Sequence, residues 1–167
     1  MTEKIFRKYL EIKPHEEFKE VEKPSKDYSV DPAVPKDFQL NKFFYKNIGK
    51  NCHWIDRLVW TDLDWSKYIS NEKLTTHILK DKGEIAGYFE LLYNQNSKVS
   101  EITYFGILEE YFGKKLGGYL LSGAIKYSFT LGSQRVWVHT CSLDHKNALN
   151  NYLSRGMKIF KSETLSR

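Results

Sequence analysis

At 167 residues the chain is long enough for one domain with a proper core and too short for two ordinary ones. With 41% hydrophobic and 28% charged residues it has the composition of a folded globular protein, which excludes a disordered tail. The net charge of +5 is modest, and lysines alternate with acids without gathering into a basic block or stripe, which argues against a nucleic-acid partner.

The chain opens on MTEKIFRKYLEI, where a strand over KIFRKYLEI is expected and the apolar core of a signal peptide is lacking. No run of about 18 apolar residues occurs, so no membrane span is expected. Pro14, Pro24, Pro32 and Pro35 then break the charged lead-in, leaving room for a short strand near Tyr28 to Val30. Phe38, Phe43, Phe44 and Ile48 with the terminal Gly49 predict a first helix. Thr61 with Asp64 three residues on has the form of a capping box, so a second helix should run from about Asp62 to Ser70.

The period changes next. LTTHILK, GEIAGYFELLY and SEITYFGIL are β-rich runs separated by the turn compositions DKG and NQNSK, which predict an antiparallel meander. Leu116, Leu120, Ala124 and Leu131 form an apolar stripe at helical spacing that stops at Gly132. RVWVH reads as a buried strand, Asp144 as the cap of a last helix through Arg155 with Gly156 as its stop, and MKIFK as a final strand. This order predicts a single α+β domain over 1–167, a mixed and mostly antiparallel sheet with helices on both faces, whose first part, 1–35, is a strand and proline-rich lead-in. Cys52 and Cys141 show no pairing pattern, so reduced thiols and a cytoplasmic setting are expected.

Residues 111 to 121, YFGKKLGGYLL, follow a strand and open a helix, a context in which unpaired backbone N–H groups and the helix dipole favour an anion. A plain packing loop, whose glycines let helix approach sheet, explains the same residues.

Residues 74 to 161 resemble the GNAT superfamily of N-acetyltransferases, including uncharacterised bacterial members. The family's pyrophosphate loop reads Arg or Gln, two residues, Gly, one residue, then Gly or Ala. On FGKKLG this puts Phe112 at the first position, Lys115 at the glycine and Gly117 at the last. Lys115 must then take a backbone shape usually eased by glycine, while donors from Phe112, Gly113, Lys114, Lys115, Leu116 and Gly117 need no particular side chains. DHKNALNNYLSRGM is similar to the family's last helix, with Ala148, Tyr152, Gly156 and Met157 in place and His145 where an Asn contacts the cofactor. SEITYFGIL resembles the strand that carries a glutamate base, here Glu101, and whose backbone, here Phe105, Ile107 and Leu108, pairs with the pantetheine arm.

The resemblance implies acetyl transfer from acetyl-CoA, without a metal, to a primary amine of a small molecule or peptide by direct attack. Glu101 would be the base and Tyr152 the acid toward sulfur. His53, Trp54 and Asp56 in NCHWIDRLVW are candidates for the acceptor pocket; packing for Trp54 and Trp60, and a surface pair for Asp56 with Arg57, are the plainer readings. The family's usual last strand is missing after MKIFKSE, so IFRKYLEI or a partner subunit in a homodimer is expected at that edge. Three other readings stand beside this one. The first is a metal held by His139, Cys141 and His145, and the second a Cys141 nucleophile with His139 as its base. The third is a non-catalytic acyl-CoA sensor or protein-interaction module on the same fold.

Overall fold

The computed structural model describes residues 3–166. In chain order the elements are β1 (Lys4–Ile12), β2 (Tyr28–Pro32), α1 (Phe38–Gly49), α2 (Asp62–Ile69), β3 (Leu74–Asp81), β4 (Glu84–Asn94), β5 (Val99–Ile107), α3 (Leu116–Thr130), β6 (Arg135–Cys141), α4 (Ala148–Ser154) and β7 (Lys158–Ser166). They form the expected α+β architecture, one sheet in the order β2-β3-β4-β5-β6-β1-β7. Among the described residues only β5 and β6 run parallel.

Local sequence explains most boundaries. Thr61 and Asp64 form the reciprocal capping box at the start of α2. Gly132, just past α3, has φ 103°, the left-handed stop that glycine supplies without strain. Helix α4 departs from expectation, since it starts at Ala148. Asp144 accepts hydrogen bonds from Thr140 Oγ1 and Cys141 N instead, tying the loop back onto the end of β6.

Helices α3 and α4 cover one face, where Leu120, Leu121, Ala124 and Ile125 meet Phe89, Leu91, Ile102 and Val138. On the other face Phe44 and Ile48 of α1 pack on Ile78, Tyr88 and Leu108. β4 is therefore buried on both sides, which accounts for its nearly unbroken apolar run.

The lead-in strand is not at the edge. β1 is hydrogen-bonded to β6 on one side and β7 on the other, so IFRKYLEI supplies an inner strand and the longer-than-expected β7 becomes the edge. The opposite edge is β2, where Pro32 is tolerated because its missing N–H costs no ladder bond.

His77 lies between Phe89, stacked at 4.8 Å, and Tyr127 at 4.3 Å, and its Nδ1 is buried without a partner. Burial pushes this imidazole down to about 4 from 6.5, with Asp31 opposing. Because the unfolded chain takes up the proton first, stability should hold above pH 6.5 and fall toward pH 4, with a slope approaching about 1.4 kcal/mol per pH unit. Thermal melts of wild type and His77→Phe across that window check this, the variant being expected to show the flatter profile.

Candidate active site

β5 and β6 pair from Val99 with Arg135 to Glu101 with Trp137 and then part. The fork opens into a cleft of about 1380 Å³. Leu108 N donates to Ala86 O at 2.8 Å, so by strand alternation Gly106 and Tyr104 also turn their backbone groups toward β4. Phe105 and Ile107 turn theirs into the gap, presenting unpaired donors and acceptors to whatever lies along the fork. Leu108, expected beside them, does not belong to the cleft: its N–H is taken and its side chain is buried with Phe44 and Ile48.

The glycine loop closes one end of the fork. Lys115 has φ 61° and ψ 27°, the left-handed conformation expected to favour glycine, and Gly113 has φ 80° with nothing near the place of a Cβ. Lys115 is also the cap position of α3 and offers no side-chain hydrogen bond, so the first N–H groups of this helix remain available. The next glycines serve packing, though against α4 and its cap and not against the sheet: a Cβ at Gly117 would meet Asn151 at 3.3 Å, and one at Gly118 would meet Arg155 Nη1 at 2.2 Å. Lys114 does not itself line the cleft; its Nζ lies over the ring of Tyr111, which does, at 5.3 Å. Lys115→Gly should remove the strain and stabilise the fold by up to about 1 kcal/mol, measurable by urea denaturation.

Sequence reasoning missed Arg155. Its side chain lines the cleft against the first turn of α3, and its Nε is buried without a partner. Burial without a neighbouring acid holds its pKa below the usual value. A cation at the positive end of a helix is unfavourable alone and suits an anion bound there. Only its place after Tyr152 in LNNYLSRGM marked it in the sequence.

Tyr152 of α4 is 5% exposed, and its ring lies 6.2 Å from that of Phe105. Burial, with Asp144 and Cys52 nearby, raises its pKa well above the ordinary phenol value, so it keeps its proton. Cys52 lines the same end, and burial, with help from Asp144, pushes its thiol up to about 11. Glu101 stands at the root of the fork, and burial raises its carboxyl above 4.5. His145 also lines the cleft, with its ring edge-on to Phe112 at 4.9 Å, and its Nδ1 accepts a hydrogen bond from Asn147 N.

On the α1–α2 side the wall is formed by His53, Trp54, Asp56 and Tyr104. The expected Asp56–Arg57 surface pair is not formed. Arg57 is 7% exposed and pairs at 3.3 Å with Glu90, which is fully buried; the guanidinium lies over Tyr68 at 4.0 Å and Tyr104 at 4.1 Å. Trp60 packs on Trp65 at 4.9 Å, while Trp54 stays half-buried at the cleft.

Among the described residues no three His, Cys, Asp or Glu side chains gather to hold a metal ion. Burial, with Asp144, also keeps the Cys141 thiol up, which disfavours the thiolate a nucleophile needs. No helix among those residues is long and apolar enough to cross a membrane.

The acetyltransferase (GNAT) family model matches residues 39–157. No curated protein sequence matches the chain. Among solved structures, a GCN5-related N-acetyltransferase from Sphaerobacter thermophilus superposes with TM-score 0.74 at 16% identity, over 97% of this chain and 50% of that one. A GCN5-related N-acetyltransferase from Kribbella flavida gives 0.68 at 12% identity, over 96% and 56%. An aminoglycoside acetyltransferase from an uncultured soil metagenomic sample, in complex with trehalose, gives 0.65 at 12% identity, over 80% and 90%. The chain thus spans little more than half the length of the first two neighbours.

Proposed function

The chain belongs to the GNAT acetyltransferase family, and on that premise we propose that it moves an acetyl group from acetyl-CoA to a primary amine by direct attack, with both substrates bound. The observation that carries this reading is the fork, with the free backbone groups of Phe105 and Ile107 along one arm and the left-handed loop at its end. Acetyl-CoA, when bound, supplies the activated acyl group. Gly113, Lys115 and the first turn of α3 would hold its phosphates, with charge from Arg155 where Phe112 replaces the family's Arg or Gln.

In this reading Glu101, at the root of the fork, takes the proton of the acceptor ammonium directly or through a water. Burial raises its pKa, which makes it a better base than an ordinary carboxylate. Tyr152 holds a proton for the departing sulfur. Burial raises the Cys52 thiol at the same end of the cleft, which supports the reading that a thiolate released there takes a proton more readily than it would in water. Two unpaired cysteines fit a cytoplasmic setting in which thiols stay reduced.

Acetyl-CoA should raise the melting temperature, and thiol release should follow on adding an amine. Stabilisation without release from any amine would favour the non-catalytic sensor; no stabilisation by any acyl-CoA would sink the reading. Arg155→Gln should weaken acetyl-CoA binding by about tenfold or more by titration calorimetry, the worth of a charge-assisted hydrogen bond, with little effect on pantetheine binding.

A further inference from the structure

We propose that the acceptor is a monoamine whose nitrogen stands on an aromatic or apolar body, with the body against Trp54, Tyr104 and Ile55 and the ammonium facing Asp56 and Glu101. This rests on the transferase reading above.

The wall is preorganised. Trp54 meets Tyr104 edge to face at 4.8 Å, and its backbone N–H donates to Gly49 O at 3.1 Å. A Cβ on Gly49 would lie 2.7 Å from Trp54 Cβ, so the absent side chain seats the indole. Tyr104 is backed by Tyr45 at 5.5 Å and by the Arg57 guanidinium. Because Glu90 neutralises that guanidinium in place, the aromatic surface turned to the cleft carries no net charge. Ile55, 47% exposed, continues the apolar surface to the mouth.

The charges left on this side fit one ammonium. Asp56 and Glu101 both line the cleft, and neither has an ion pair among the described residues. Arg7 lies 3.6 Å from Glu163, and Asp144 is held by Thr140 and the Cys141 N–H. His139, next along β6, has its pKa lowered by burial and by Arg7, with Asp144 and Glu163 opposing, and so brings no cation at neutral pH. An acceptor with several ammonium groups would strip water from charges that find no partner here. A ring on the Trp54 and Tyr104 faces gains stacking and apolar burial, and the cation beside it gains from the same rings.

The test measures thiol release from acetyl-CoA with three probes: phenethylamine, sisomicin and a short peptide whose only amine is a lysine side chain. Phenethylamine should exceed the other two in kcat/KM by about tenfold or more. Trp54→Ala should raise its KM by about 10- to 100-fold while the acetyl-CoA Kd stays within about twofold, and Trp54→Phe should recover much of the loss. Gly49→Ala, by displacing the indole, should raise KM in the same direction. Preference for sisomicin or the peptide, or an unchanged KM in Trp54→Ala, overturns the acceptor class and leaves the transferase reading standing. Absence of release from every probe and from a broad amine panel, with acetyl-CoA still bound, overturns both.

Discussion

Replacing Arg57 by alanine is expected to destabilise the fold by about 3–5 kcal/mol, the range for removing one partner of a buried ion pair. Glu90 is fully buried in the middle of β4, where Asn41 Nδ2 donates to it at 2.8 Å and Tyr68 donates its hydroxyl. Those neutral donors solvate the carboxylate but supply no opposite charge. Burial works against the guanidinium, and Glu90 together with Tyr68 and Tyr104 more than offsets it, so Arg57 keeps its charge. Without Arg57 the Glu90 charge is stranded, and the rings of Tyr68, Tyr104 and Trp60 lose the cation they surround. The loss should also reach the acceptor wall, because the guanidinium lies against Tyr104 at 4.1 Å and Tyr104 in turn meets Trp54 edge to face. Urea denaturation measures the effect, and the double variant Arg57→Met with Glu90→Gln should lose less than Arg57→Ala alone. A loss below about 1 kcal/mol in Arg57→Ala would mean that the pair is not the anchor the geometry describes.

That network also marks where sequence reasoning stops. The acid in GYFELLYN stands inside a buried run, which flags it, but its partner lies 33 residues away on a loop and the pairing exists only in three dimensions. Local features were legible because their causes are local: the Thr61–Asp64 box needs only its own turn, and the meander of β3, β4 and β5 needs only β-rich runs and short turns. The lead-in strand was legible as a strand but not as an inner one, because pairing with both β6 and β7 joins the two ends of the chain. Asp144 followed the same division. It is expected to cap the last helix, but Thr140 Oγ1 and Cys141 N at the end of β6 take its carboxylate ahead of the helix. For the loop, the motif placed Lys115 correctly at a glycine position, and the backbone there is left-handed in spite of the side chain. Arg155 carried no motif and became visible only in three dimensions, where it lines the cleft and the missing side chain of Gly118 makes room for it.

Tyr152→Phe should lower kcat for acetyl transfer by about 100-fold, the lower end of what a positioned acid contributes, with the acetyl-CoA Kd nearly unchanged. The substitution removes one oxygen from a side chain that is otherwise held by packing against Phe105 and the α3–α4 core, so the fold should survive. The pH profile separates this role from a structural one. Because burial and Asp144 hold the Tyr152 proton far above neutrality, the wild type should show no loss of activity from Tyr152 ionisation at moderately alkaline pH. The acid limb should instead follow Glu101: as pH falls through its raised pKa the carboxylate takes a proton, and activity drops at a pH above that of an ordinary glutamate. Glu101→Gln should erase that limb and lower kcat/KM, while Tyr152→Phe should keep the limb and lower the plateau. Thiol release with the best acceptor across pH reads both. Full turnover in both variants would remove Glu101 and Tyr152 from the chemistry and leave the fork as a binding site whose rate comes from holding two substrates together.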